Sequence, residues 1–556
     1  MNLNSLLLNA SLVSIALLSS VPFLITRHFQ PLPSFASEWW AAVLGLVAMG
    51  FAFFHKSERL QVPRIALLPA LFIVAISAQW MVGLIVLPTA AFIAVLYLVW
   101  TSLMMALGLR LSQQVGLQRL STALAWGFLL GAVANACVGI LQHLQVSAPP
   151  LWVYPGRTGV ASGNLGQQNH FAAQLWLGLA AIAYLAHLGK LGRATAALLI
   201  LLLTMAAGAT QARGALVYSV LIAALLIVNG QRVKIAMMFP IAQITFFFAA
   251  PYAPILAART TNSVASTAAT GAGTLQRISN LGSDVRLELW HDAWQMFTAH
   301  PWLGIGTGSY ERASVEHAAS KLYGFPIPAE HAHNLVMQWL AEFGGITTVL
   351  ALLLVIGFLA PALRRLRSDG HFDRFIPFAV IGILGLYSQI EYPLWYTYFL
   401  APMALMLGAL ESQFKTIELD HPRLLLASIL LVAACVLIPL RQDEIRLERA
   451  TLWRHLGLPE AQAFAEALKS LDETAQKSLL APYAEFVLTN SVIPSPSVAK
   501  AHWGLCQSVL GFAPTADVLN KCAASARLLG DNVTAEALER KGKTAWCYKY
   551  CKPEHR

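Results

Sequence analysis

The sequence predicts an all-α, polytopic integral membrane protein with about thirteen transmembrane helices, a long outward-facing loop and an outward-facing helical C-terminal tail. Three observations predict this class: the composition, the length of the apolar segments, and the distribution of Lys and Arg between successive loops. Hydrophobic residues make up 57% of the 556 residues and charged residues 12%, whereas soluble domains average roughly 25% charged residues. Most of the chain must therefore lie in lipid, which excludes a soluble metabolic enzyme and a disordered or fibrous chain.

The apolar segments recur along most of the chain. A transmembrane helix needs roughly 17–25 mostly apolar residues, because lipid offers no partner for backbone N–H and C=O groups. The predicted spans are Leu6–Ile25, Trp39–Phe54, Ile65–Ala78, Pro88–Leu107, Ser121–Leu144, Phe171–His187, Ala194–Ala209, Ala215–Asn229, Ile235–Pro251, Leu340–Leu363, Phe375–Ile390, Trp395–Leu410 and Leu424–Leu440. The first has no Lys or Arg before it and is long for a signal peptide, so we interpret it as an uncleaved helix.

The basic residues predict the orientation. With the N-terminus in the cytoplasm, basic clusters such as Arg364-Arg365 fall in cytoplasmic loops, while the short outward loops hold only Arg27, Arg157 and Arg213. This agrees with the positive-inside rule. The 38 Lys and Arg against 28 Asp and Glu give a net charge of +10, which we attribute to this topology and not to a nucleic-acid interface.

Four regions follow from this topology. Residues 1–251 hold the first nine spans, residues 252–339 form the outward loop with amphipathic helices, residues 340–440 hold the last four spans, and residues 441–556 form the outward helical domain. Long translocated segments are largely exempt from the charge rule, so the basic residues of the tail do not contradict its placement.

The tail carries four cysteines, Cys506, Cys522, Cys547 and Cys551. In an oxidising compartment they predict two disulfides, for which three pairings are possible. A zinc site is the alternative, and the absence of a paired C-x-x-C motif disfavours it.

Polar residues capable of chemistry collect at the outward membrane edge. A glycine-containing loop ends in the amides Gln167, Gln168 and Asn169, which could bind a sugar or position a donor, or simply form a turn that enters a helix. Arg213 stands where the chain re-enters the membrane, where simple interfacial anchoring is the alternative role. Arg286 lies in a predicted amphipathic helix on the outer leaflet, near lipid head groups. A simple surface ion pair is the alternative role.

A fourth polar group, His331-Ala332-His333-Asn334, immediately precedes the tenth span. Two histidines at this spacing could ligate a metal, but no third ligand is evident. A histidine with a structural hydrogen bond is the ordinary interpretation of either one alone.

Two of these features resemble a known family. The spacing of His333-Asn334, Gly344 and Thr347 resembles the signature of the O-antigen ligase and polymerase superfamily. The stretch from Arg286 to Gly306 is also similar to the conserved loop of that superfamily.

Two further motifs narrow the resemblance. Gln167-Gln168-Asn169 and the stretch Glu391 to Tyr396 more closely resemble the protein-glycosylating branch, the PglL-like O-oligosaccharyltransferases of Gram-negative bacteria. The outward tail fits that branch too. The resemblance is strongest from about Gly163 to Leu410.

The resemblance implies a reaction and roles for individual residues. A preassembled glycan would pass from undecaprenyl pyrophosphate to a Ser or Thr hydroxyl of a periplasmic protein, such as a pilin, at the inner membrane. His333 would be the essential histidine, acting as general base, and Arg213 and Arg286 would hold the pyrophosphate. Either Gln167 or Gln168, and either Tyr392 or Tyr396, would be needed for activity. The complete set of implied substrate-binding residues is Gln167, Gln168, Asn169, Asn334, Tyr392 and Tyr396.

Elementary chemistry agrees with these roles. Guanidinium groups can hold a pyrophosphate through bidentate, charge-assisted hydrogen bonds, and an imidazole is a suitable base near neutral pH. We expect no metal or other cofactor, because the sequence lacks an acidic cluster such as Asp-x-Asp.

Three other functions are considered. An O-antigen ligase would transfer the glycan to a lipid A–core sugar, and a glycan polymerase would extend the glycan itself. A secondary transporter is disfavoured, because transporters usually carry ionisable residues inside their spans and such residues are few here.

Overall fold

The computed structural model describes residues 3–54, 59–146, 149, 153–155, 160–253, 285–317, 328–368, 372–418, 420–455 and 459–546. Regular structure in these ranges is almost entirely helical, which confirms the predicted all-α class. Arg157, Asp284, Cys547 and Cys551 lie outside the described residues, as does much of the predicted outward loop.

The helices are named here in chain order. They are α1 (Leu3–Leu18), α2 (Phe35–Phe53), α3 (Leu67–Met81), α4 (Pro88–Val115), α5 (Leu117–His143), α6 (Gln168–His187), α7 (Arg193–Ala209), α8 (Gly214–Val228), α9 (Val233–Ala249), α10 (Val285–Ala299), α11 (Tyr310–Glu316), α12 (Leu335–Ser368), α13 (Phe375–Tyr387), α14 (Thr397–Leu410), α15 (Pro422–Thr451), α16 (Glu460–Lys477), α17 (Ala481–Ser491), α18 (Ala499–Phe512), α19 (Ala516–Leu528) and α20 (Asn532–Ala545).

Every predicted span coincides with a helix of this set. Of the helical segments in the described ranges, eight are long and apolar enough to cross a membrane, and α7, α8 and α14 are shorter apolar helices. The chain is therefore a multi-pass membrane protein. The number of crossings and the side that each loop faces remain predictions.

Helix α6 forms the centre of the bundle. Nearly every residue from His170 to Leu185 is buried, because α5, α7, α8 and α13 all pack against it. A helix enclosed by protein on all sides does not need the continuous apolar surface of a lipid-facing helix. This explains why α6 begins with the polar residues Gln168, Asn169 and His170 yet lies inside the membrane bundle.

A two-stranded antiparallel sheet was not predicted. Strand β1 (Arg59–Pro63) pairs with strand β2 (Phe414–Glu418), with Leu60 opposite Ile417. The strands flank apolar helices that are far apart in the chain. Their pairing arises only because α4 and α14 pack closely against each other.

Helix α12 contains a sharp kink at Gly344, whose φ of 74° and ψ of −179° are not helical. A Cβ at this position would lie 2.4 Å from the carbonyl oxygen of Trp302. Glycine is therefore required both by the positive φ and by the close approach of the backbone. The Gly345 N–H donates to the carbonyl of Pro301 at 2.7 Å, and the Ile305 N–H donates to that of Ala341 at 2.9 Å. The loop after α10 is thereby fixed in the kink of α12.

The C-terminal tail is helical from α16 to α20, as predicted. Its start is not marked by a helix end, because α15 continues beyond Leu440 to Thr451. Val315 of α11 is buried in the tail's core together with Cys506 and Val509. The tail therefore packs directly against the segment between α10 and α12.

The tail contains a disulfide between Cys506 and Cys522, with a Cα–Cα distance of 5.6 Å. This is one of the pairings that the sequence left open. It joins α18 to α19, so the loop that it closes contains the turn between two packed helices.

Replacing both cysteines by serine is expected to lower the unfolding free energy of the tail by about 3 kcal/mol, because the bond closes a short loop in the unfolded chain. Thermal unfolding and pulse proteolysis of the purified protein would measure this. The control is Cys137→Ser, which removes an exposed free thiol in α5. Equal stability of the two variants would contradict the expectation.

Candidate functional site

Three other parts of the chain converge on the carboxylate of Glu391, which lies between α13 and the 3₁₀ turn Pro393–Trp395. Its Oε2 lies 2.7 Å from Nδ1 of His333. Its Oε1 accepts hydrogen bonds from Nη2 of Arg286 at 2.9 Å and from Nδ2 of Asn169 at 2.8 Å. Glu391 is 5% exposed, so this buried carboxylate organises the site.

His333 precedes α12 and has a φ of 51°, in the left-handed region that side-chain-bearing residues rarely adopt. The conformation is held by its neighbour. Asn334 Oδ1 accepts from the N–H groups of Val336 and Met337, both at 3.1 Å, and thus caps α12. The Leu335 N–H donates to the carbonyl of Ser388 at 2.8 Å. Backbone strain of this kind is typical of functional positions.

Arg286 lies in the first turn of α10. Its Nε donates to the carbonyl of Ile390 at 2.8 Å while its Nη2 binds Glu391. The loop after α10 is anchored in the kink of α12, and Gln79 Nε2 donates to the carbonyl of Leu303 in the same loop at 2.8 Å. Arg286 and His333 are therefore fixed relative to each other by the fold.

The amides predicted at the start of α6 have different environments. Gln167 Oε1 accepts from the His170 N–H at 2.6 Å and so caps α6. Asn169 reaches Glu391, as described above. His170 is buried, and its Nδ1 forms a short hydrogen bond with the hydroxyl of Tyr387 beneath the site. The backbone of Gln168 begins α6.

Arg213 stands at the N-terminal end of α8. The next residue, Gly214, approaches Ile390 so closely that a Cβ there would lie 3.3 Å from Ile390 Cδ1. Ile390 is also the residue whose carbonyl accepts from Arg286. The start of α8 at Arg213 and the guanidinium of Arg286 thus both lie next to Ile390. Ile390 directly precedes Glu391, whose carboxylate contacts His333.

The two candidate tyrosines occupy different positions. The ring of Tyr392 lies edge-on to His333 at 5.0 Å between centroids, and Tyr396 lies 4.7 Å from the ring of His170. The rings of Tyr392 and Tyr396 stack at 5.9 Å. Tyr392 is therefore the one beside the predicted catalytic histidine.

His331 packs against aromatic rings, 4.3 Å from Tyr392 and 4.9 Å from Trp395. Burial is the main cause that lowers the pKa of His331 to about 3. His331 is therefore neutral at physiological pH and supports Tyr392 by packing.

The charges within the site favour one protonation state. Burial alone raises the pKa of Glu391, but the hydrogen bond from His333 and the charge of Arg286 lower it below its ordinary value. The carboxylate is thus ionised at neutral pH and accepts a hydrogen bond. We infer that Nδ1 of His333 carries the proton, which leaves Nε2 to accept one. A carboxylate fixes the histidine tautomer of serine hydrolases in the same way.

Two residues of this site were missed in the sequence analysis. Glu391 appears there only within a motif, and His170 is given no role. Glu391 offered a usable signal, since an acidic residue between two apolar segments is costly to bury and usually functional. His170 gave no signal of its own.

Two protein-family models match parts of this chain. A family model described as O-Antigen ligase matches residues 197–352, and one described as Virulence factor membrane-bound polymerase, C-terminal, matches residues 376–549. The first range contains Arg213, Arg286 and His333, and the second contains Glu391.

Comparison with individual proteins is more specific. A ComP-specific O-oligosaccharyltransferase of Acinetobacter baylyi is 23% identical over 296 residues, which cover 52% of this chain and 51% of that protein. A general O-oligosaccharyltransferase of the same organism is 26% identical over 428 residues, which cover 73% of this chain and 70% of that protein. The chain thus spans about half the length of the first relative. The matches confirm the predicted resemblance: the chain is similar to O-oligosaccharyltransferases and to the O-Antigen ligase family model.

Proposed function

We propose that this protein is an inner-membrane O-oligosaccharyltransferase. It moves a preassembled glycan from undecaprenyl pyrophosphate to a Ser or Thr hydroxyl of a periplasmic protein, such as a pilin. The observation that carries this proposal is the Glu391–His333 pair with Arg286 on the same carboxylate. The names of the two relatives support a protein acceptor.

His333 acts as the general base. Its Nε2 takes the proton of the acceptor hydroxyl while the hydroxyl oxygen forms a bond with the anomeric carbon of the glycan. The bond between that carbon and the phosphate oxygen breaks, and its electron pair leaves on the pyrophosphate. Attack in a single step inverts the configuration of the anomeric carbon. Glu391 holds the imidazole and stabilises the imidazolium that forms.

Arg213 and Arg286 stabilise the charge that develops on the leaving pyrophosphate. Arg286 is held in place by its ion pair with Glu391. Tyr392 borders the space beside His333. Burial raises the pKa of Tyr392, so its neutral hydroxyl can donate a hydrogen bond to the donor or to the acceptor.

Asn169 and Asn334 serve this mechanism by orienting protein groups. Asn169 fixes the carboxylate of Glu391, and Asn334 holds the turn that presents His333. Gln167 and Gln168 place the start of α6, from which Asn169 extends.

Arg213→Lys and Arg286→Lys are each expected to reduce transfer by about 10–100-fold, although both keep the charge. A lysine at position 286 cannot hold the carbonyl of Ile390 and the carboxylate of Glu391 with one planar fork. Initial rates with purified protein and lipid-linked glycan would measure the effect. Arg232→Lys, between α8 and α9, is the control. Wild-type rates in Arg213→Lys and Arg286→Lys would contradict the proposed binding of pyrophosphate by these arginines.

The proposed function is tested by reconstitution of purified protein, undecaprenyl-pyrophosphate-linked glycan and a pilin acceptor, with and without a chelator. We expect the glycan mass on a Ser- or Thr-containing peptide, at equal rates in both conditions. Transfer that stops with the chelator and returns with a divalent cation would contradict the metal-independent scheme.

An O-antigen ligase is the second candidate, and the O-Antigen ligase match over residues 197–352 supports it. The chemistry is the same and the acceptor is a lipid A–core sugar. Deletion of the gene distinguishes the two. Loss of glycan from periplasmic peptides supports the protein acceptor, whereas loss of lipopolysaccharide banding supports the ligase.

A further inference from the structure

A cavity of about 330 Å³ opens at the end of the helical bundle remote from the candidate site. Its lining residues come from α1, α5 and the turn between α6 and α7, and they are Leu12, Gln118, Arg119, Thr122, Ala123 and Lys190. Arg119 lies in the first turn of α5. Gln142, near the other end of α5, holds the loop that leads to Gln167. The helical rise between Arg119 and Gln142 separates the cavity from the candidate site by roughly 35 Å.

The cavity is positively charged. Arg119 and Lys190 are both exposed at its mouth, and in the part of the chain that the structure describes neither forms an ion pair with a carboxylate. Arg119 Nη2 donates to Oδ1 of Asn9 at 2.9 Å, which holds the guanidinium between α1 and α5.

The helix end adds to this charge. The first turn of α5 contains no acidic residue, and Gly116 at the N-cap provides no side-chain cap. The N-terminal N–H groups of a helix and its dipole favour an anion. Two cations and an uncapped helix end therefore lie at one cavity.

The remaining lining is compatible with a lipid. Leu12 and Ala123 are apolar, and Thr122 adds a hydroxyl whose own proton is donated to the carbonyl of Gln118 at 2.7 Å. The cavity lies between α1 and the start of α5, and it combines apolar lining with two basic side chains, as expected for a pocket at the boundary of membrane and water. Basic pockets between transmembrane helices at such a boundary bind anionic lipid head groups.

We propose that this cavity binds the phosphate of an anionic phospholipid, with Arg119 and Lys190 as its ligands. The lipid lies between α1 and α5 and ties the N-terminal helix to the centre of the bundle. The site requires neither the proposed reaction nor the candidate active site.

Native mass spectrometry of the purified full chain tests the proposal, with phosphatidylglycerol and phosphatidylcholine added at equal concentration. We expect the wild type to retain phosphatidylglycerol about ten-fold more than phosphatidylcholine. The variant Arg119→Gln/Lys190→Gln is expected to lose this preference. The matched control Arg232→Gln/Lys234→Gln removes two exposed basic residues elsewhere and is expected to keep it.

Two outcomes would overturn the proposal. One is equal retention of phosphatidylglycerol by the variant and the control. It would show that the lipid is attracted by exposed basic residues in general and not by this cavity. The other is a result in which excess inorganic phosphate displaces the lipid and phosphate alone raises the unfolding temperature as much as phosphatidylglycerol does. This result would identify a site for a free anion. The candidate site is remote from the cavity, so glycan transfer by the variant in detergent verifies that the variant is folded. If it does not transfer, the single variants Arg119→Gln and Lys190→Gln replace it in the comparison, and each is expected to weaken the preference for phosphatidylglycerol.

Discussion

His333→Ala is expected to reduce glycan transfer by about 10²–10⁴-fold, the usual contribution of a general base. The imidazole is the group beside Glu391 that can take the proton of the acceptor hydroxyl, and alanine leaves no substitute at that position. Initial rates with purified protein, lipid-linked glycan and acceptor would measure the loss. Binding of the donor should change little, because the charges of Arg213 and Arg286 remain.

The control for this substitution is His421→Ala, at an exposed histidine that precedes α15. Both variants should be equally abundant in the membrane and unfold at similar temperatures. Near wild-type transfer by His333→Ala would remove His333 from the mechanism. A parallel loss of abundance would instead assign it a structural role.

Glu391→Gln is expected to reduce transfer by up to about 10⁴-fold, the effect seen when an amide replaces the carboxylate behind a catalytic histidine. The amide of glutamine can donate to Nδ1 of His333, which would place the imidazole proton on Nε2. Nε2 could then no longer accept the proton of the acceptor hydroxyl. The variant also leaves Arg286 without its carboxylate partner. Initial rates with purified protein, lipid-linked glycan and acceptor would measure the loss.

A double variant distinguishes positioning from simple stability. If Glu391 acts through His333, Glu391→Gln should cost little in the His333→Ala background, because residues that act as a unit are not additive. Glu460→Gln, at an exposed position of α16, is the control. Additive losses in the double variant would show that Glu391 does not work through the histidine.

Much of the architecture was predictable because it depends on local features. A run of apolar residues long enough to cross the bilayer must be helical, since lipid leaves its backbone groups no other partner. For this reason each predicted span coincides with a helix. The His333-Asn334 motif and the two arginines were likewise recognisable from residue type and spacing.

The organisation of the site was not predictable in this way. Asn169, Arg286, His333 and Glu391 lie in four separate parts of the chain, and their hydrogen bonds exist only after α6, α10, α12 and α13 have packed. The pairing of β1 with β2 depends on helix packing in the same manner.

The sequence by itself determined that this chain is helical, lies in a membrane and carries an imidazole and guanidinium groups at membrane edges. Only the tertiary structure decided which carboxylate orients the imidazole, that Tyr392 and not Tyr396 stands beside it, and that Gly344 kinks α12 to lock α10 in place. The physical reason is that apolar length and residue type are local properties. A hydrogen bond of about 3 Å between distant parts of a chain depends on the packing of every helix between them.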